Sequence, residues 1–459
     1  MERRTKRGLA PIALMPLGFM GVLIVGTVLL MLPFSTTDGH GLNFVDSVFM
    51  ASSAVCVTGL SVKDLGTELT VYGQAVMLLL IQCGGLGFMT LTSMLFMMLG
   101  RRFSLHDRMN LAESMAQDKL QGVVKMTKYA IFITLTIELV GVMLLAIRFV
   151  PDFGWKRGLW YSVFHSVSAF CNAGFDILGN GSSFIPYVND VLVNITLMLL
   201  IVLGGLGFAV IVNIMTAARK RIGKTDTEIK RLRLHSKVVL LMTAILLIAG
   251  AVLIFALEYR NPKTFANIPM QERILPSLFQ SVTARTAGFA SIPQTDLTHE
   301  SKLVTCILMF VGASPAGTGG GIKTTTLAIV LLFIWAVMRN RQDIELFKRR
   351  LSWGIVRRAL SIFFLALGVI AVGVLLLSVF ERGKPFTPGD MAFEVISAVT
   401  TTGLSTGITG SLSSASRLLL SLIMFMGRVG VLTVALNIGG LTNKNTKNIQ
   451  YPLEDIPVG

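Results

Sequence analysis

The sequence predicts an all-α integral membrane protein: four tandem repeats, each a span, a half-length helix and a second span, set around one axis. Three observations predict it. The chain is 53% hydrophobic and only 14% charged, with mean hydropathy +0.70, whereas a soluble domain carries roughly 25% charged residues. Long apolar runs occupy residues 9–34, 75–99, 129–147, 191–217, 238–257, 303–338, 359–380 and 418–439; most reach the ~20 residues a helix needs to cross a bilayer. A pattern of small residues, glycine and a bulky apolar residue occurs four times, as CVTGL, CNAGF, RTAGF and TTTGL. Its glycines, Gly59, Gly174, Gly288 and Gly403, are 115, 114 and 115 residues apart. That period is too long for a solenoid and suits sub-domains of several helices.

The repeats divide the chain at 1–118, 119–232, 233–350 and 351–459, the last ending in a cytoplasmic tail. The count is about eight transmembrane helices plus four re-entrant half-helices. The N-terminus resembles a signal peptide, but its apolar run is too long and no small-x-small site closes it. It is read as the first retained span.

The net charge of +16 is distributed in clusters. Arg3, Arg4, Lys6 and Arg7 form the first, and Arg101, Arg102 and Arg108 the second. Residues 219–237 and 339–358 carry the third and fourth. These segments fall between alternate spans, which is the positive-inside pattern. It places both termini in the cytoplasm and the basic loops near anionic membrane lipid. No nucleic-acid partner is expected. The cysteines Cys56, Cys83, Cys171 and Cys306 form no CxxC pair, so neither a disulfide framework nor a metal site is expected.

Each first span is followed by a short helical segment: residues 43–55, 158–170, 273–284 and 388–400. About twelve helical residues cover ~18 Å, near half of a ~30 Å hydrocarbon core. These are read as re-entrant pore helices around one central pore. Irregular backbone at that depth is tolerated only where protein buries it or water bathes it. Four such loops meeting on an axis would present carbonyl oxygens that replace an ion's hydration shell. Glycine suits the sharp turn, and helix C-termini aimed inward favour a cation. The side chains there are neutral: Cys56, Val57, Thr58; Cys171, Asn172, Ala173; Thr286, Ala287; and Thr400, Thr401, Thr402. Backbone coordination of a monovalent cation therefore fits better than a carboxylate ring for divalent ions. Arg285, beside the third glycine motif, is a candidate anchor for its loop.

The second spans carry GGLGF at residues 84–88 and 204–208, read as close packing through small residues. The third second span is interrupted by GASPAGTGGGIKTTT at 312–326. It is no nucleotide-binding loop, because Ile322 precedes Lys323 where that motif needs glycine. Pro315 with Gly312, Gly317, Gly319, Gly320 and Gly321 cannot hold a regular helix. A broken helix is expected, with Ala313, Ser314, Thr318 and Lys323 in a gate below the carbonyl ring; a static kink is the alternative. Arg428, in FMGRVGVLT, lies in an apolar span, where a charge costs ~2.5–3.5 kcal/mol. It either faces the pore, as a barrier to cations, or pairs with a carboxylate such as Glu138.

At VCVTGLSV, SAFCNAGF, TARTAGF, TTTGLSTG, GTGGGIKTTT and GRVG the sequence resembles the Trk/Ktr/HKT superfamily, most closely the Ktr-type membrane subunit of bacteria. The resemblance covers nearly the whole chain. It implies potassium uptake across the bacterial plasma membrane, with potassium as the permeant ion and sodium as a second candidate. It implies a selectivity filter with glycine in every repeat, a gating loop at 312–323 and Arg428 beneath the filter. It implies a homodimer on a cytosolic ring of nucleotide-binding regulatory subunits. Val431 departs from the family, which often has proline there. No segment resembles an ATP-binding or phospho-enzyme domain, so neither an enzyme nor a pump is expected. An alternating-access carrier is the competing class.

Overall fold

The structure is a computed structural model that describes residues 11–87, 123–222, 232–265, 269–341, 343–347 and 349–430. The expected basic clusters at 3–7 and 101–108, much of the third cluster, Val431 and the tail lie outside the described residues.

The described chain is mostly helical. Helix α1 (Pro11–Met31) leads to the short α2 (Phe44–Val55) and then to α3 (Val71–Leu86). Helix α4 (Val123–Phe170) is a span and a short helix in one run, broken at Gly154 (φ +77°) just after Pro151. Helices α5 (Val191–Leu206) and α6 (Phe208–Ile222) follow, then α7 (Leu234–Glu258) and the short α8 (Ile274–Thr283). Helices α9 (His299–Phe310) and α10 (Thr324–Met338) flank the glycine-rich stretch. A small antiparallel hairpin, β1 (Glu345–Leu346) with β2 (Arg349–Arg350), precedes α11 (Trp353–Phe380). The short α12 (Pro388–Thr400) and α13 (Ser414–Val429) complete the order.

Polar residues start these helices as capping physics requires. The side chains of Thr70, Asp190, Thr298 and Ser413 each accept a backbone N–H in the first turn of α3, α5, α9 and α13. Thr387 and Asp390 form a reciprocal capping box at α12. Buried carboxylates tie helix starts to neighbouring helix ends. Glu258 accepts from Thr298 N (2.9 Å) and Oγ1 (2.8 Å), and Glu381 from Ser413 N (2.7 Å).

The expected single span at 191–217 is instead two helices, bent by 97°. The left-handed φ of +87° at Gly207 stops α5 there. Gly87 (φ +80°) and Gly430 (φ +98°) likewise end α3 and α13. Among the described residues, α4, α7 and α11 are long and apolar enough to cross a membrane, and the α5–α6 pair counts as a fourth. Their outward faces carry exposed apolar residues, such as Ile147, Ile248 and Leu375. Lipid tails are as apolar as these side chains, so packing and hydrogen bonds hold the helices together.

Packing closes a ring. Helix α3 packs on α4, α5 on α8, α9 on α12, and α13 returns to α2. Each of these pairs joins a post-glycine helix to the next short helix, and the last contact joins the fourth post-glycine helix to the first short helix. The Arg417–Asp46 ion pair fastens this closing contact between α13 and α2.

Candidate functional site

Each short helix runs into its glycine segment with the same backbone turn. The residue two before the glycine is left-handed every time: Val57 (φ +58°), Asn172 (+60°), Thr286 (+65°) and Thr401 (+52°). Gly59, Gly174, Gly288 and Gly403 then take φ of +97°, +70°, +83° and +93°. Left-handed non-glycine residues cost ~1–3 kcal/mol each, whereas glycine takes such angles freely. Their presence in all four segments marks one shared conformation.

The four segments meet. A Cβ on Gly59 would lie 2.5 Å from Ala173 O; on Gly174, 2.5 Å from Ala287 O; on Gly288, 2.5 Å from Thr402 O; and on Gly403, 2.1 Å from Thr58 O. Each glycine therefore abuts a carbonyl of the next segment, and the fourth abuts the first. Glycine is required by this close approach as well as by its dihedral angles. The side chains of Cys56, Val57, Thr58, Cys171, Asn172, Ala173, Thr286, Ala287, Thr401 and Thr402 are fully buried, and Thr400 nearly so. Among the described residues, the hydroxyls of Thr58, Thr286 and Thr401 have no hydrogen-bond partner. The four short helices end beside this neutral ring, each bringing about half a negative charge in its last turn. A ring of neutral oxygens of this kind could replace part of a cation's hydration shell.

Four residues that carry this geometry were not singled out from the sequence: Ser53, Ser168, Thr283 and Ser397. Their carbonyls accept from Thr58, Ala173, Ala287 and Thr402 N. The Ser53 and Ser397 hydroxyls accept from Gly59 N (3.2 Å) and Gly403 N (3.0 Å). The Ser168 and Thr283 hydroxyls donate to Phe175 O (2.8 Å) and Phe289 O (2.6 Å). The signal was present as Ser-Ala or Thr-Ala before each motif. In the third segment the Thr-Ala stands one residue nearer its glycine, so this segment reaches the ring with one residue fewer. Arg285 sits in that shortened turn. Its guanidinium leaves the ring and donates to Gly312 O at 3.3 Å, anchoring the start of the glycine-rich stretch.

That stretch crosses one end of the ring. Gly312 N donates to Ile322 O and Ala313 N to Gly320 O, which folds 311–322 into a narrow loop. Ser314 N and Thr318 N donate to Gly205 O and Gly204 O of α5, and Ser314 Oγ meets Thr324 Oγ1 at 3.0 Å. Pro315 O lies against Gly207, and Gly317 against Gly205 O. Thr318 Oγ1 donates to Phe170 O at 3.1 Å, and the Asn172 amide, oriented to satisfy its neighbours, donates to Thr318 Oγ1 at 3.0 Å. A Cβ on Gly319 would lie 2.0 Å from Thr286 Oγ1, and on Gly320 2.2 Å from Thr401 Oγ1. Gly321 is left-handed at +68° and closes on Gly312. Lys323 Nζ donates to Gly319 O at 2.8 Å.

Arg428 reaches the same place. It donates to the carbonyls of Thr318 and Gly84, so it ties α13 to the loop and to α3. The alternative of a pair with Glu138 does not occur; Glu138 instead accepts from Gln82 at 3.3 Å.

The GGLG packing has a sharp local form. Gly84, Gly204 and Gly427 each press on the last carbonyl of a short helix or the residue beside it: Val55 O, Phe170 O and Val399 O, at 2.1, 1.9 and 2.1 Å from a hypothetical Cβ. The neighbour Gly205 has nothing closer than 3.6 Å. Gly204→Ala is therefore expected to lower the thermal unfolding midpoint in detergent by several degrees. Gly205→Ala should leave it unchanged or raise it, since alanine favours helix by up to ~1 kcal/mol over glycine. Equal effects in a paired melt would refute the close-approach reading.

The chain resembles known proteins over nearly its whole length. The family model described as TrkH, cation transport protein, matches residues 19–444. The potassium/sodium uptake protein NtpJ of Enterococcus hirae is 37% identical over 461 residues, covering 100% of this chain and 99% of that protein. The Ktr system potassium uptake protein B of Bacillus subtilis is 37% identical over 449 residues, covering 98% and 97%. The crystal structure of the potassium transporter TrkH from Vibrio parahaemolyticus superposes with TM-score 0.73 at 16% identity, over 95% of this chain and 86% of that one. A multi-pass helical chain with this match across nearly its whole length belongs to the TrkH family of cation transport proteins.

Proposed function

We propose that this chain is the ion-conducting subunit of a Ktr-type potassium-uptake system in the bacterial plasma membrane. The observation that carries the reading is the closed circle of glycines, each against the carbonyl of the next segment. In this reading Thr58, Ala173, Ala287 and Thr402 supply the carbonyls of a selectivity filter, with Cys56, Val57, Cys171, Asn172, Arg285, Thr286, Thr400 and Thr401 as its supporting turns. The chain is four span–pore-helix–span repeats, with about eight membrane crossings. Residues 312–323 and Arg428 are the gate. Both termini face the cytoplasm. Flux follows the membrane potential, worth about 2.3 kcal/mol per charge per 100 mV.

The Ktr system name of the relatives supports partner subunits, and the basic loops at 219–237 and 339–358 are their docking surface in a homodimer on a cytosolic nucleotide-binding ring. Coupled carriage with sodium is the second reading, favoured by the potassium/sodium name of the Enterococcus hirae relative. The deciding experiment is flux into proteoliposomes under a set potential. Potassium should enter well above protein-free vesicles and above sodium. Potassium flux at the protein-free level would end the reading, and flux that needs sodium on the same side would move it to the carrier.

A further inference from the structure

We propose that Asp176 is an ion-collecting carboxylate at the mouth of the ring, holding a hydrated monovalent cation before it enters. The proposal rests on the conduction reading above. A cavity of about 210 Å³ opens on Gly59 and Gly174 and is lined by Ser61, Lys63, Asp64 and Asp176. Its lining residues follow the ring glycines in sequence, whereas the glycine-rich loop touches residues that precede them. The cavity and the loop therefore sit at opposite ends of the ring. At ~30 Å³ per water, the cavity has room for an ion and part of its hydration shell.

Two of the three charged side chains in the lining are already engaged. Lys63 Nζ holds Glu68 at 2.7 Å, and that carboxylate keeps the lysine above its ordinary pKa. Asp64 Oδ1 accepts the amides of Gly66 (2.8 Å) and Thr67 (3.3 Å), and its Oδ2 accepts that of Gly181 (3.0 Å). Asp64 is thus a brace between the first and second segments. Asp176 has the Leu178 amide as a partner and no ion pair among the described residues. The residues at the same offset after the other three glycines are Ser61, Ala290 and Ser405. Asp64 is the second carboxylate of the lining, and burial together with the charge of Asp64 pushes the Asp176 carboxyl up to about 7. Such a pair suits a loosely held monovalent ion, whereas a calcium site needs six to eight oxygens with several carboxylates.

A charge in a confined mouth focuses the field and raises cation on-rates by about 10- to 1,000-fold, an effect that salt removes. Potassium uptake is measured against external potassium in proteoliposomes, at ~0.01 M and ~0.15 M ionic strength, where the Debye length falls from ~30 to ~8 Å. D176N and D176S should raise the half-saturating potassium by about tenfold at low ionic strength and by much less at the higher one, with the maximal rate kept. D176E should stay near the wild type. Unchanged half-saturation at low ionic strength, or a lost maximal rate with half-saturation kept, would overturn the proposal. So would absence of both neutral variants from the membrane, since the carboxylate would then be structural. A wild type that carries no potassium would overturn the conduction reading itself.

Discussion

Gly403→Ser is expected to cut potassium uptake at least about tenfold and to narrow the preference for potassium over sodium. Gly403 has φ +93°, and a side chain there would sit 2.1 Å from Thr58 O and 3.0 Å from Gly59 Cα. Both are backbone atoms, so no rotamer change relieves the clash. A non-glycine residue held at such a φ costs ~1–3 kcal/mol before the clash is counted, and ~1.4 kcal/mol in a binding site is already a factor of ten. The contact also joins the last segment to the first, so its displacement widens the ring where the chain closes on itself. Gly410→Ala is the matched control, because a Cβ at Gly410 meets nothing within 4 Å. Potassium and sodium flux through the two variants, per protein inserted, decides the matter. Normal discrimination in Gly403→Ser would mean that the carbonyl ring does not select the ion.

The four glycine turns were legible because their chemistry has no alternatives. A left-handed turn against a neighbour's carbonyl admits glycine alone, so Gly59, Gly174, Gly288 and Gly403 keep a register that spans the chain. Three of the short helices were legible to within a residue, and the second at its end, for a similar reason: a polar cap starts α2 and α12, and a small-residue turn ends all four. The bend at Gly207 was not. GGLGF reads equally well as packing within a straight helix. What breaks the helix is the dihedral angle of Gly207 and the arrival of Pro315 from a loop more than a hundred residues away. The partners of Arg428 were hidden for the same reason. Backbone carbonyls are present at every position, so composition cannot point to Thr318 and Gly84 as it can to a carboxylate such as Glu138.

Arg428→Gln is expected to raise potassium influx at fixed potential by about tenfold or more. The guanidinium bridges the carbonyls of Thr318 and Gly84, so it holds the loop against the ring and fixes α13 to α3. A hydrogen bond from a charged donor contributes ~1.5–3 kcal/mol. Glutamine keeps the reach for one such bond at most, and losing the other shifts the loop equilibrium by roughly 10- to 150-fold toward the displaced state. Thr318→Val removes only neutral bonds, those to Phe170 O and Asn172, at ~0.5–1.5 kcal/mol each. Its influx should therefore lie between the wild type and Arg428→Gln. Arg428→Lys separates pinning from electrostatics. Lysine keeps the charge but lacks the planar fork that spans two acceptors. If the field of the cation alone limits flux, Arg428→Lys behaves as the wild type. If the two-carbonyl bridge limits it, Arg428→Lys conducts nearly as freely as the glutamine variant, which is the result this geometry requires.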